Sequence, residues 1–175
     1  MFTIAAIVVV ILIAGVLGLA ASKPDTFQVE RATSIQAPPE KIFPFINDFH
    51  GWTSWSPWEK IDPAMKRTYG GAEKGKGAVY EWEGNNKVGK GRMEITEANP
   101  PGKVTIKLDF IKPFEGHNIA EFTMQPKGNA TDVTWAMHGP NRFISKVFHV
   151  FMNMDNMIGK QFAQGLANLK GIAEK

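Results

Sequence analysis

The segment PNRFISKVFHVFMNMDNMIGKQFAQGLANLKGIAEK, residues 140–175, decides the fold. Its apolar positions are Phe143, Val147, Val150 with Phe151, Met154, Ile158, Phe162, Leu166 and Leu169. They recur every three or four residues, the period of one face of an α-helix. The spacing predicts one long helix with one continuous apolar stripe, capped at its start by Asn141. About 28 residues would span roughly 40 Å at the rise of an α-helix. A helix that long cannot cover its own stripe and needs a broad apolar partner.

The partner lies upstream. Tyr80 and Trp82, Met93 and Ile95, Val104 to Phe110, Phe122 and Met124, and Val133, Trp135 and Met137 alternate with polar residues, the period of strands with one wet face. Gly70-Gly71, Gly84-Asn85-Asn86, Asn99 to Gly102, and the stretches 112–116 and 126–129 are turn signals. Short turns make an antiparallel meander covered on one side. One earlier strand carries Phe27, Val29 and Ile35. A helix opened by Pro38-Pro39 follows, with Ile42, Phe43, Phe45 and Ile46 on its apolar face. The expected class is α+β: a curved antiparallel sheet wrapped on the long C-terminal helix.

Composition narrows the chemistry. The chain has 175 residues, 43% of them hydrophobic and 21% charged, with no cysteine and a net charge of +3. Disulfides, thiolate zinc sites and cysteine nucleophiles are therefore excluded. The lysines are scattered, which gives no basis for a nucleic-acid partner. Phe2 to Ala21 holds 20 residues without a charge, enough to cross a bilayer. A cleaved signal peptide is the rival, with Gly18-Leu19-Ala20 as small residues near a cleavage point. No Lys or Arg precedes the run, and it exceeds a usual signal core, so an uncleaved transmembrane helix is expected. The division is then an anchor at 1–22, a linker at 23–26 and one domain at 27–175. Lys23, Arg31 and Lys41 after the run place that domain on the cytoplasmic side of a single-pass membrane protein.

The stretch FHGWTSWSPWEKIDPAM, residues 49–65, holds three of the five tryptophans. It reads as an aromatic plug at one end of the core, or as a lid over a pocket. The strand faces and the last helix supply an apolar, adaptable wall. The ligand-binding set expected from this is Trp55, Trp58, Tyr80, Trp82, Met93, Phe110, Phe122, Trp135, Met154 and Ile158, with Phe151 beside them. No nucleophile–base pair, metal set, phosphate loop or cofactor motif stands out. His138 falls on the outer face, and His50 lies in the tryptophan-rich turn. His117 and His149 lack a partner at metal spacing. Asp155 reads as a hydrogen-bonding or exposed residue, and Glu59 and Asp62 as solvated loop charges.

The order of strand, helix pair, meander and long helix resembles the START-like superfamily, also called SRPBCC. Within it, the chain is similar to the polyketide cyclase/dehydrase and lipid transport branch. The residues that carry the likeness are Val29-Glu-Arg31, Ile35 to Phe43, Asn47-Asp-Phe49, Trp55 to Glu59, Trp82 to Asn85, Met154 to Gly159 and Gly165 to Lys170. The resemblance implies a helix-grip fold with a cavity between sheet and helix. Relatives include lipid and hormone binders, cyclases and chaperone activators, so fold alone does not choose a function. The expected function is membrane-tethered binding of an apolar small molecule or lipid, without turnover. The alternatives are a cyclase or dehydratase-type enzyme and a chaperone-activator-like interaction module.

Overall fold

Alternation becomes a single sheet. The computed structural model describes residues 2–151 and 153–175, with all of their side chains except those of Phe2, Thr3, His149 and Met154. Helix α1 (Phe2–Ala21) precedes β1 (Thr26–Ile35), α2 (Pro39–Asn47), a 3-10 turn (Phe49–Ser54) and the short α3 (Trp58–Ile61). Then come β2 (Lys66–Gly71), β3 (Ala78–Glu83), β4 (Lys90–Asn99), β5 (Lys103–Lys112), β6 (Gly116–Lys127) and β7 (Ala130–Pro140). The chain ends in α4 (Phe143–Phe151) and α5 (Met154–Ala173). The seven strands lie in the order β1-β7-β6-β5-β4-β3-β2, all neighbours antiparallel. The first strand closes the meander by pairing with the last, Val29 opposite Met137 and Arg31 opposite Trp135.

The inner face is the one the alternation marks. Val104, Ile106, Phe122, Val133 and Trp135 are buried, while the outer face carries ion pairs such as Lys103–Glu121 at 2.6 Å. Trp135 and Phe122 are paired across β6 and β7, and their rings stack with centroids 4.7 Å apart. The Phe162 ring of α5 stacks on Trp135 at 4.1 Å. Gly165 makes that approach possible, because a Cβ there would come within 2.8 Å of the Trp135 ring. Trp52, Trp55 and Trp58 fill the end of this stack edge-on, with centroids 5.5–6.2 Å from Trp135. Edge-to-face and offset contacts of this kind add to the area the rings bury. The Trp52 and Trp55 indoles donate to Ile46 O and Phe45 O of α2, which fixes the tryptophan segment against the first helix.

The long C-terminal helix is α5, and it is shorter than the periodicity predicts. Asn153 is in an extended conformation, and its side chain accepts a hydrogen bond from Asn156 N at 3.0 Å, so it caps α5. Arg31 of β1 then grips Asp155 in the first turn with two hydrogen bonds, 2.9 and 3.0 Å. Its guanidinium crosses directly over Gly159, where any side chain would collide with it. The preceding residues form the separate helix α4, which rests against α1 rather than on the sheet. The stripe residues Phe143 and Phe151 are therefore not inward as expected: they are 50% and 72% exposed.

Residues 22–25 join α1 to β1 and are held in place. Asn141 donates from its backbone to Asp25 O at 2.7 Å and from its side chain to Pro24 O at 3.1 Å. Lys146 of α4 is buried and pairs with the Asp25 carboxylate at 2.6 Å, which holds that carboxyl below its usual range. Among the described residues, one helix is long and apolar enough to cross a membrane, Ile4–Ala21; a signal sequence meets the same description.

Candidate functional site

The curved sheet and α5 do not meet along their whole length. Between them, toward α4, lies a cavity of about 400 Å³ with a mainly apolar wall. That is the lower part of the range for small-molecule sites, about 300–1,000 Å³. Tyr80 and Trp82 reach it from β3, Met93 from β4, Phe110 from β5 and Trp135 from β7. Trp58 of α3 and Ile158 of α5 close it from the other side. Trp55 and Phe122 stand behind this wall, fully buried in the aromatic core. The Met154 side chain lies outside the described residues. Ala120, Leu108, Val88 and Phe162, absent from the expected set, also line the cavity. Leu108 and Ala120 lie on the inward face of the sheet, Val88 comes from the β3–β4 turn and Phe162 from α5, and the curvature of the sheet decides which inward residues pack and which stay uncovered.

The inner wall carries a carboxylate. Glu59 is buried, 8% exposed, instead of solvated as its loop position suggests. Its Oε1 accepts from the Tyr80 hydroxyl at 2.6 Å and its Oε2 from Arg67 Nε at 2.6 Å. Arg67 is held in turn by Met65 O at 2.8 Å. Burial, and then the hydrogen bond to Glu59, push the Tyr80 hydroxyl far above the ordinary phenol range, so it stays protonated. Both carboxylate oxygens are thus engaged by donors, the arrangement that lets a charge survive away from water. The partners come from β2 and β3, brought together only by strand pairing (Arg67 faces Trp82, Tyr69 faces Tyr80), which no local spacing reveals. Asp62 is half-buried and accepts from Asn85 N at 2.8 Å, holding the β3–β4 turn.

The mouth differs from the interior. Lys112, Phe114, Glu115, His117, Arg142, Ser145 and Met157 surround it, supplied by the end of β5, the β5–β6 turn, the start of β6, the residue before α4, α4 itself and the start of α5. His117 is placed between Asp109 at 2.7 Å and Glu115 at 3.1 Å. Asp109 sits opposite His117 across β5 and β6, a partner that separation in the chain conceals. These hydrogen bonds, Asp109 first, hold the His117 imidazole above its usual value. His50 stacks on Tyr69 with centroids 4.1 Å apart and bonds Asp48, beside a smaller hollow of about 160 Å³. His138 is on the outer face, 3.8 Å from Glu121. The His149 side chain lies outside the described residues. Among the described residues, no group of three or more His, Asp or Glu side chains is arranged to hold a metal ion.

Two buried polar atoms near the cavity have no hydrogen-bond partner: Trp135 Nε1 and Asn141 Oδ1. An unmade bond of this kind costs about 1–3 kcal/mol. What the site offers chemically is an apolar container, a protonated phenol on a carboxylate at its inner end, and a rim that carries Phe114 with Lys112, Arg142 and Glu115. Among the described residues, no side chain of the inner wall is paired as a nucleophile with a free base: the Tyr80 hydroxyl is held by Glu59, and both Glu59 oxygens are engaged.

The comparisons agree with this geometry. No curated protein matches the sequence. Among solved structures, protein CV1439 from Chromobacterium violaceum superposes with a TM-score of 0.60 at 16% identity, covering 87% of this chain and 99% of that one. The Aha1 dimer from Colwellia psychrerythraea gives 0.59 at 19% identity, covering 85% and 96%. Ginseng major latex-like protein 151 from Panax ginseng gives 0.59 at 13%, covering 87% and 100%. At such identities the likeness shows the fold alone, the helix-grip arrangement. The sequence itself goes further, since residues 26–174 match one family throughout. With a meander closed on its first strand, a terminal helix across it and a hollow between them, the chain belongs to the polyketide cyclase/dehydrase and lipid transport family.

Proposed function

We propose that this protein is a membrane-tethered, non-catalytic binder of an apolar small molecule or a single lipid chain. The observation that carries the reading is the cavity of about 400 Å³ walled by Trp58, Tyr80, Trp82, Met93, Phe110, Trp135 and Ile158. Burying an apolar ligand there gains about 25 cal/mol for each Å² removed from water. A ring system or one acyl chain suits the volume better than a whole two-chained phospholipid. Helix α1 serves as the anchor, with the domain on the cytoplasmic side as the Lys and Arg after the span favour. Met93 and Met137 give part of the wall room to adapt.

Mass spectrometry of organic extracts from the full chain, purified in mild detergent, tests this. A stoichiometric apolar species is expected, and Ile158→Trp, which fills the hollow, should abolish its recovery while the fold persists. Absence of any such species, together with no binding of a fluorescent apolar probe above a compact control protein, would sink the reading.

One observation favours a second reading, a cyclase or dehydratase. Glu59 borders the cavity beside Tyr80, the geometry an acid–base step would need. Against it, both Glu59 oxygens are already taken by Tyr80 and Arg67. Turnover of a bound polyketide-like ligand that Glu59→Gln abolishes without loss of binding would establish this second function. The chaperone-activator-like reading fits a filled core, which the cavity does not provide.

A further inference from the structure

Helix α4 is an amphipathic helix turned inside out. On a helical projection, Phe143, Ile144, Val147, Phe148 and Phe151 form one side, and Ser145 and Lys146 fall on the other. In a water-soluble domain the apolar side would face the core. Here Phe143, Ile144, Phe148 and Phe151 are 50%, 68%, 41% and 72% exposed, while Ser145 faces the cavity and Lys146 is buried on Asp25. The end of β5 and the β5–β6 turn add Ile111 and Phe114, 49% and 62% exposed, and the Phe114 ring lies 5.1 Å from that of Phe148. The apolar surface is therefore continuous across two elements, and soluble monomers rarely leave such a patch uncovered.

What covers it follows from its position. The patch runs from α4, which rests on α1, to Phe114 at the cavity mouth. Lys112 and Arg142 at the same mouth are cations suited to phosphate headgroups, and the carboxylate beside them, Glu115, is engaged by His117 at 3.1 Å. We infer that α4 and the β5–β6 turn form a collar seated in the surface of the membrane that holds α1, so that the cavity opens into lipid rather than into water. This rests on the tethered-binder reading. A ligand dissolved in the bilayer would then enter without crossing an aqueous gap.

The absence of cysteine makes the test direct. Single variants Val9→Cys, Phe114→Cys, Ile144→Cys, Phe148→Cys and Lys127→Cys, each carrying an environment-sensitive fluorophore, are made in the full chain. They are placed in phosphatidylcholine–phosphatidylglycerol vesicles with nitroxides on the lipid chains. Labels at 114, 144 and 148 are expected to lose about two-fold or more of their emission to shallow nitroxides, as groups seated about 5–10 Å into the interface do. A label at Lys127, the last residue of β6 at the far end of the strands, should be unaffected. If 9 is quenched and the three collar labels behave like 127, the collar stands in water and the inference fails while the anchor survives. If 9 is also unquenched, the tether reading fails with it. Collar labels shielded from aqueous iodide but untouched by lipid nitroxides would mean that protein covers the patch, which also overturns the inference.

Discussion

Helices α4 and α5 come from one uninterrupted apolar period, yet they face opposite ways. In α5 the stripe turns inward: Phe162, Leu166 and Leu169 are at most 2% exposed against the sheet. In α4 the same spacing points outward, and a lysine takes the buried side. The difference lies in what each helix meets. The sheet offers α5 a broad apolar surface with Gly165 and Gly159 clearing its path, whereas α4 lies beyond the sheet and finds α1 and the cavity mouth. Periodicity thus establishes that a helix has an apolar face; the partner that covers the face must be found elsewhere.

The contrast is sharpest at the centre of the α5 contact. Trp135→Ala should destabilise the domain by about 3–5 kcal/mol, read as a fall in melting temperature. An unchanged melt would mean that the stacked Phe122–Trp135–Phe162 layer carries no weight. A pair of substitutions compares the helices directly. Leu166→Ala should cost about 2–5 kcal/mol, and Ile144→Ala within about 0.5 kcal/mol as at other exposed sites. Equal losses for the two would break the comparison. Next in size is the junction: Asn153→Ala removes the cap of α5 and should cost about 1 kcal/mol, Asn153→Gly only a few tenths. Similar values for both would show that the cap is not what separates the helices.

The smallest effect concerns the mouth. His117 has a raised folded value because Asp109 and Glu115 hold its proton. Its contribution is therefore complete below the unfolded value, about 6.5, and fades as pH climbs through the folded one. NMR titration should place its midpoint above that of free imidazole, and Asp109→Asn should lower it. A midpoint unmoved by Asp109→Asn would detach the β5–β6 turn, and Phe114 with it, from this control.

Much of the fold was legible. Alternation identified the inward residues of the meander because each strand has one wet face, and Val133, Trp135 and Met137 are buried as read. The N-terminal apolar run was equally plain. The break at Asn153 was not, because the stripe crosses it without a missed step; the signal lay in Asn153 followed by Asp155, a cap and an acidic first turn. The cavity wall was readable only as a face. Trp55 and Phe122 carry the same signal as Trp58 and Tyr80, and sheet curvature separates packed rings from uncovered ones. Glu59 was hidden because its partners, Arg67 and Tyr80, converge through strand register.

The connection between α1 and β1 carries a final consequence. Four residues, 22–25, separate them, a leash of at most about 14 Å when fully stretched. Asn141 and Lys146 clamp two of the four, Pro24 and Asp25, so little slack remains. If α1 is the bilayer anchor proposed above, the cup is denied free diffusion, and its local concentration at the lipid surface is set by geometry rather than by affinity. Even feeble adhesion by its rim would then suffice to keep it docked.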